Sequence, residues 1–292
     1  MYSYSIVLVT HNRLNLLKES LARAIDQTIS PVGVYIVDNA STDGTGEYLD
    51  NIAETNPAIH VIKSNENIGG AGGFSLGLKS AYESSADWFM LIDDDAILDL
   101  DCMENLDPTT SSFKSDAYAC TVVSHGKIDL NHRRFYRFAS TEEMYRGEFR
   151  CDLASFCGLM VSRKMVSEVG YPEQDYFIWF DDTEYCMRFT GETPIVVRPS
   201  AVLVHKTQTA AKSLEPVLSW KSYYGFRNQI NAYIRHRRLI DLLRLLRFLL
   251  PDCFKPTSSF DSKYCVELCR DALFDGLMGH LGKNEKYLPS RS

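Results

Sequence analysis

Trp88-Phe-Met-Leu-Ile-Asp-Asp-Asp95 joins five apolar residues to three consecutive carboxylates. The apolar part predicts a buried β-strand. Alternate residues of an extended chain point to the same side, so we expect Asp93 and Asp95 to face one ligand together. Hard divalent cations such as Mg²⁺ and Mn²⁺ take carboxylate oxygens and keep open positions for phosphate. The segment therefore predicts a metal site at the end of a strand, with a solvated acidic turn as the alternative.

Three earlier segments also pair an apolar run with a following helical pattern, and the runs lie at residues 5–10, 32–37 and 59–62. Strands that alternate with helices predict βαβ units and a mostly parallel sheet flanked by helices. The predicted fold class is therefore α/β, with a mostly parallel, Rossmann-like sheet. Ligands of such sheets gather at the carboxyl ends of the strands, so we expect the functional residues at that edge.

Polar residues or glycines follow each of these runs: Arg13, then Asp38, then Asn67-Ile-Gly-Gly-Ala-Gly-Gly-Phe74. The Asp38 carboxylate could accept hydrogen bonds from a ribose hydroxyl or a base N–H, or it could simply cap the next helix. The glycines could let the backbone approach an anion at a helix N-terminus, or form a tight turn. The stretch is neither a G-x-G-x-x-G motif nor a P-loop.

A second acidic pair, Asp181 and Asp182, follows the aromatic run 176–180. Hydrophobic surroundings make a carboxylate more basic, and a basic carboxylate can take a proton from a sugar hydroxyl. Aromatic faces such as that of Trp179 suit stacking on sugar rings. The alternative is that the two aspartates cap a helix that starts near Glu184, with Arg188 pairing to Glu184 at i,i+4.

Later strands are predicted at residues 154–162, 195–197 and 201–204, and His205 lies at the end of the last one. A neutral imidazole there could complete a metal shell, although a histidine at a strand end is more often structural. The pattern from residue 99 to residue 150 is too loose to assign elements.

The composition narrows the class of protein. A formal net charge of −7 argues against general nucleic-acid binding. The eight cysteines contain no C-x-x-C pair, and the first residues do not resemble a signal peptide, so we expect reduced thiols in a cytoplasmic protein. No uninterrupted apolar run approaches the roughly 18 residues that a membrane span needs.

We place a boundary near residue 212, between a catalytic domain at 1–211 and a helical region at 212–292. Residues 230–250 predict one basic amphipathic helix, with Leu239, Leu243 and Leu246 on one face and Arg237 and Arg244 on the other. Such a helix can lie on the inner face of an anionic membrane, or pack on the catalytic domain or in an oligomer.

The ordered set of motifs from residue 3 to residue 206 resembles glycosyltransferase family 2, whose members are inverting enzymes with the GT-A fold. The resemblance implies a divalent metal cofactor, Mn²⁺ or Mg²⁺, held by Asp93, Asp95 and His205. It also implies that Asp182 is the general base and that Trp179 and Asp181 contact the acceptor. The residues implied to bind the nucleotide sugar are Arg13, Asp38, Asn67, Gly69, Gly70, Asp93 and Asp94.

Within the family, the segments ending at Phe74 and Asp182 look most like bacterial galactofuranosyltransferases. The implied donor is UDP-galactofuranose, and the implied acceptor is a cell-surface glycan or a polyprenyl-linked intermediate. A rhamnosyltransferase that uses dTDP-rhamnose is the alternative. A nucleotidyltransferase would need a loop rich in Gly, Arg and Lys after the first strand, and His11-Asn-Arg13 is not that loop. A catalytically silent glycan-binding subunit is the alternative from a different class of protein.

Overall fold

The computed structural model describes residues 2–206, 218–254 and 260–288. Its strands are β1 Tyr4–Thr10, β2 Gly33–Asp38, β3 Ile59–Lys63, β4 Trp88–Asp93, β5 Ala96–Leu98, β6 Ala117–Ser124, β7 Lys127–Ile128, β8 Arg133–Arg134, β9 Phe149–Cys151, β10 Leu153–Ala154, β11 Leu159–Ser162 and β12 Ile195–His205. Its α-helices are α1 Leu14–Ile25, α2 Thr45–Thr55, α3 Gly69–Tyr82, α4 Cys102–Asn105, α5 Arg163–Val169, α6 Asp181–Met187, α7 Trp220–Arg235, α8 Leu239–Cys253 and α9 Phe260–Met278. Short 3₁₀ turns lie at Leu130–His132, Glu142–Arg146 and Gln174–Tyr176.

The main sheet is mixed and has the strand order β3-β2-β1-β4-β11-β6-β12-β5. Strands β1 to β4 pair in parallel, as the sequence predicts, and β11 runs antiparallel between β4 and β6. The ends of β1, β2 and β4 therefore open on one edge, and β12 brings its own end, His205, beside β5. The predicted α/β class is confirmed, and the sheet edge holds the predicted site.

Both faces of the sheet are covered. Ile6 and Leu8 of β1 belong to one buried cluster, while Val7 and Val9 belong to the cluster on the other face. Every residue of β1 is buried, which explains why the strand reads as a continuous apolar run rather than an alternating one. Burial on both faces fixes the position of the loop after β1.

The glycine-rich stretch differs from the prediction, because it is not a loop before a helix: α3 already begins at Gly69. Glycine is a poor helix former, so propensity favours a loop. Packing against β1 outweighs this preference, since a Cβ on Gly73 would lie 2.5 Å from Val9 and one on Gly77 would lie 2.6 Å from Val7. The glycines let the helix lie close against the sheet.

The single strand predicted at 154–162 is also wrong. The chain forms β10, turns at Ser155–Gly158, and then forms β11, and the two strands lie in different sheets. The turn is held by the buried Arg133, whose guanidinium donates to the carbonyls of Cys157 and Gly158 at 2.8 and 3.1 Å. In contrast, the two strands predicted at 195–197 and 201–204 are one strand, β12, with a bulge between Arg198 and Val202.

The single helix predicted at 230–250 is interrupted. α7 ends at Arg235 and α8 begins at Leu239. Arg237 in the connecting turn has a φ of 54°, which is a left-handed conformation that a right-handed α-helix cannot contain. α7, α8 and α9 enclose a cluster of buried side chains that also contains Phe177 from the preceding part of the chain. The predicted boundary near 212 lies outside the described residues. No helix within the described ranges is both long enough and apolar enough to cross a membrane.

Candidate active site

A cavity of about 550 Å³ opens at the carboxyl edge of the sheet. The structure brings eight of the predicted site residues together in its lining: Arg13, Gly70, Asp93, Asp95, Trp179, Asp181, Asp182 and His205. These residues come from the loop after β1, α3, the end of β4 and the turn after it, the loop before α6, α6 itself and β12, which are distant in sequence. The cavity therefore places the predicted metal-binding aspartates and the predicted general base on the walls of one space.

Asp95 and His205 form the central pair of the cavity. The distance from Asp95 Oδ1 to His205 Nε2 is 3.2 Å. Asp95 Oδ1 and His205 Nδ1 are both buried without a hydrogen-bond partner, which is costly for polar atoms. Two adjacent ligands of one divalent ion, each about 2.1 Å from it, also lie about 3 Å apart. Oxygen and imidazole ligands at this spacing fit a divalent cation.

Electrostatics around this pair also fit a cation. Burial, together with Asp95 and Asp94, raises the pKa of Asp93 to about 7. Burial alone would raise the pKa of Asp95, but His205 and Arg13 outweigh it and lower that pKa. Within the described parts of the chain, no three His, Cys, Asp or Glu side chains converge closely enough to hold a metal by themselves. The structure thus brings two of the three predicted ligands into contact and places Asp93 in the same cavity lining.

Arg13 connects the loop after β1 to the acidic triplet. Its Nη1 donates to Asp94 at 3.1 Å and to Asp95 at 2.8 Å. Asp94 also accepts a hydrogen bond from Thr10 Oγ1 at 2.8 Å and does not line the cavity. Its carboxylate therefore holds Arg13 and β1 in place, while its predicted contact with the nucleotide sugar stays a prediction.

Asp181 and Asp182 form the first turn of α6, with Asp181 buried and Asp182 half-buried. The helix thus begins earlier than Glu184, and both aspartates belong to it. Burial, and next the Asp182 charge, raises the pKa of Asp181 well above its ordinary value. Burial also raises the pKa of Asp182, although Arg134 and Thr183 oppose the rise. Both carboxyls are therefore stronger bases than exposed aspartates. The predicted pair of Glu184 with Arg188 is confirmed at 2.6 Å.

The loop before α6 is strained. Phe177, Trp179 and Phe180 all have positive φ, at 64°, 63° and 71°, in a region that bulky residues rarely adopt. Asn228 of α7 is fully buried and donates from Nδ2 to three carbonyls of this loop, those of Tyr176, Ile178 and Trp179. A loop held in such a conformation carries Trp179, whose side chain is 48% exposed, into the cavity lining.

Besides Asp94, three of the predicted nucleotide-binding residues lie outside this lining. The Asp38 carboxylate accepts from the Ser41 N–H at 3.0 Å, which is the turn-forming alternative. Asn67 Oδ1 accepts from the Gly69 N–H at 2.9 Å and lines a smaller cavity of about 300 Å³. Gly69 has a φ of 76°, and its place beside the Phe177 carbonyl leaves no room for a Cβ. Their nucleotide contacts stay predictions.

The cavity also contains residues that the sequence did not indicate. His132 lies in the unassigned middle stretch, and its ring meets that of His205 edge to face at 5.0 Å. Burial, and then Arg133, lowers the pKa of His132 to about 4, so its imidazole is neutral at pH 7. Lys206 and Lys221 add two cations. Lys206 directly follows His205, so its place near the site could have been predicted from the sequence. No local pattern indicates His132 or Lys221.

The sequence model of the family described as "Glycosyl transferase family 2" matches residues 5–170. A curated relative, "Galactofuranosyltransferase GlfT1" of Mycobacterium tuberculosis (strain H37Rv), is 41% identical over 194 residues, which are 61% of this chain and 61% of that protein. The match thus spans about three fifths of the length of the curated relatives.

Two solved structures are similar in fold. GalNAc-T7, solved with UDP, GalNAc and Mn²⁺, gives a TM-score of 0.63 at 13% identity and covers 94% of this chain and 55% of its own. The mannosyltransferase PcManGT from Pyrobaculum calidifontis, solved with GDP-Man and Mn²⁺, gives 0.57 at 16% identity and covers 95% and 76%. At these identities the likeness concerns the fold alone.

Proposed function

Because this chain belongs to glycosyltransferase family 2, we propose that it is an inverting glycosyltransferase that moves galactofuranose from UDP-galactofuranose to a hydroxyl group. The acceptor we propose is a bacterial cell-surface glycan or a lipid-linked intermediate of one. The observation that carries the proposal is a single cavity that places two basic carboxylates, Asp181 and Asp182, with the paired Asp95 and His205. The likeness to a galactofuranosyltransferase at 41% identity supports the choice of sugar.

The chemistry is one in-line displacement at the anomeric carbon. Asp182 accepts the proton of the acceptor hydroxyl as the acceptor oxygen bonds to that carbon. The bond from the carbon to the diphosphate oxygen breaks, and its electron pair leaves with the nucleoside diphosphate. A divalent cation bound by Asp95 and His205, with Asp93 beside them, would offset the negative charge on the diphosphate. Trp179 offers an aromatic face to a sugar ring at the cavity mouth.

Differential scanning fluorimetry with UDP, dTDP and GDP, each with and without Mn²⁺, tests the donor. We expect metal-dependent stabilisation by UDP and little from the other two, because binding to the folded state raises its melting temperature. A preference for dTDP would indicate rhamnosyl transfer instead. No response to any nucleotide would contradict the proposed activity and favour a glycan-binding subunit.

We also propose that α8 rests on an anionic membrane surface. Its exposed side chains include Leu239, Ile240, Leu243 and Phe248, between 59% and 66% exposed. Arg244 and Arg247 lie exposed among them. Leu246, which was predicted on the same face, is half-buried, and apolar and basic side chains are exposed together on the outer surface of α8. Such a surface suits the interface of a bilayer with anionic lipids.

Flotation with anionic vesicles tests the membrane contact. The wild type is expected to float with the vesicles, and the double variant L243E/F248E is expected to stay in the soluble fraction. The double variant L243A/F248A is the control for loss of size without added charge, and it should bind with intermediate strength. Equal flotation of the wild type and the glutamate variant would remove the proposal.

A further inference from the structure

α7 lies beyond residue 170, where the family match ends, yet one of its residues, Lys221, lines the cavity. Lys221, Gly225 and Asn228 are spaced at i, i+4 and i+7, so they share one face of the helix. Asn228 holds the strained loop through three carbonyls. A Cβ on Gly225 would lie only 3.0 Å from Trp179 Cε3. The hydrogen bonds of Asn228 and the close approach at Gly225 therefore fix this face of the helix against the loop. Lys221 lies on the same face, one turn before Gly225.

The three cations of the cavity differ in their partners. Arg13 is paired with Asp94 and Asp95, and Lys206 is paired with Glu19 at 2.5 Å. Lys221, which is half-buried, makes no ion pair with any residue in the described parts of the chain. An ammonium held in a cavity beside another cation is unfavourable unless an anion joins them. The Lys221 ammonium lies over the Trp220 ring, 5.6 Å from the ring centroid, but this contact does not neutralise its charge, which can still attract a bound anion.

The electrostatic surroundings of Lys221 also favour the binding of an anion. Burial, and next the charge of Arg13, lowers the pKa of the Lys221 ammonium, whereas Asp95 opposes the change. Lys221 is therefore close enough to interact electrostatically with both Arg13 and Asp95. Because Arg13, Asp95, His205 and Lys221 line one cavity, an anionic ligand in that cavity could meet both cations.

We propose that Lys221 binds the diphosphate of the nucleotide-sugar donor. The proposal rests on the proposed function and adds a binding residue from α7. A primary ammonium suits phosphate oxygens as a compact point charge with three donors. As the glycosidic bond of the donor breaks, its electron pair moves onto the diphosphate, and the fixed positive charge of Lys221 stabilises that group.

Calorimetry on the full chain tests the contact with two ligands that differ only in the diphosphate. Both UDP and uridine are titrated, with Mn²⁺ present, into the wild type, Lys221→Met and Lys221→Arg. For Lys221→Met we expect UDP affinity to fall by roughly 10- to 100-fold, since charge-assisted hydrogen bonds are lost, and uridine affinity to stay unchanged. Lys221→Arg should restore most of the affinity for UDP. Lys164→Met, an exposed lysine on α5, is the matched control and should bind both ligands like the wild type.

The outcomes separate this inference from the proposed function. Unchanged UDP affinity in Lys221→Met, with a wild type that binds UDP, would overturn the role of Lys221 alone. Equal losses for UDP and uridine would also overturn it, because they would indicate a disturbed cavity rather than a lost phosphate contact. A wild type that binds no UDP would contradict the proposed function itself.

Discussion

Asp182 is the residue on which the proposed chemistry depends most directly. It lies in the first turn of α6, faces the cavity and has a pKa raised by burial. Its Oδ1 accepts a hydrogen bond from Thr183 Oγ1 at 3.0 Å, which fixes the carboxylate. An amide of the same shape would keep the geometry and remove the base.

We therefore expect Asp182→Asn to lower kcat by about 10²- to 10⁴-fold, the usual contribution of a general base. UDP affinity should stay near that of the wild type, because the donor does not need the base. Asp181→Asn is the matched control and should act mainly on the KM for the acceptor. A fall of kcat in Asp181→Asn with none in Asp182→Asn would reassign the base.

The pH dependence of kcat follows from the same carboxyl. Asp182 acts as a base only when it is deprotonated, and burial raises its pKa above the ordinary value of an aspartate. The rate should therefore be full above this raised pKa and should be lost as the pH falls through it. A pH profile of kcat under saturating donor and acceptor measures this limb, and a flat profile down to pH 4 would contradict it.

At the scale of elements, the strained loop and α7 act as one unit. Asn228→Ala removes the amide group that donates to three loop carbonyls, so Trp179 and Asp181 should lose their fixed positions. We expect kcat/KM for the acceptor to fall by at least about 10-fold while UDP affinity changes little.

Asn231→Ala tests whether that effect comes from the loop. Asn231 is a buried asparagine of the same helix, but it accepts from the Tyr176 hydroxyl rather than donating to the loop carbonyls. It should lower stability without the selective loss in acceptor turnover. If both variants lose donor and acceptor binding together, the role of Asn228 is structural only.

α6 and α7 are joined through Glu184, which is fully buried and accepts from Arg188 and from His236 at 2.8 Å. Glu184→Gln is expected to cost about 3 kcal/mol of unfolding free energy, because it leaves a partly buried cation without its partner. Glu168→Gln, in an exposed pair with Lys164 at 3.9 Å, should cost under about 0.5 kcal/mol. Urea unfolding of the three proteins at pH 7 provides the comparison.

The contacts of Glu184 with Arg188 and His236 also make the free energy of unfolding depend on pH. Burial alone would raise the pKa of Glu184, but the bonds from His236 and Arg188 lower it overall. A lowered carboxyl pKa gives stability that is present above about pH 5 and lost as the pH falls through the lowered value. The difference between the wild type and Glu184→Gln should therefore shrink toward pH 3, and a constant difference would contradict the assignment.

Elements were predictable from the sequence where local pattern and packing agree. The four parallel strands were found from their apolar runs, which in β1 and β2 are buried throughout and in β4 are buried except at the two ends. The start of α3 was missed because its glycines are helical only through contact with Val7 and Val9. The break of the strand at 154–162 depends on the distant Arg133, and no local signal shows it. In the middle stretch β7 to β9 are only two or three residues long and leave little pattern, but the sequence analysis also missed the eight-residue strand β6.

At the scale of the whole molecule, the site depends on chain segments that meet only in the folded protein. The sequence indicated the residues of the sheet edge, and the GT-A fold and family membership are confirmed by the family match and the solved structures. It placed residues 212–292 apart from the catalytic part, whereas α7 lines the cavity and packs with Phe177. The role of α7 was missed because a helix that docks through tertiary contacts leaves no local sequence pattern that shows it. The division into two domains stays a prediction.

The central claim is tested most directly by a transfer assay with UDP-galactofuranose and a lipid-linked glycan acceptor, with Mn²⁺ or with a chelator. The account predicts a product that carries one added galactofuranose with inverted anomeric configuration, formed with metal, abolished by the chelator and nearly lost in Asp182→Asn. Transfer that persists in Asp182→Asn, or transfer of rhamnose from dTDP-rhamnose in preference to galactofuranose, would contradict it.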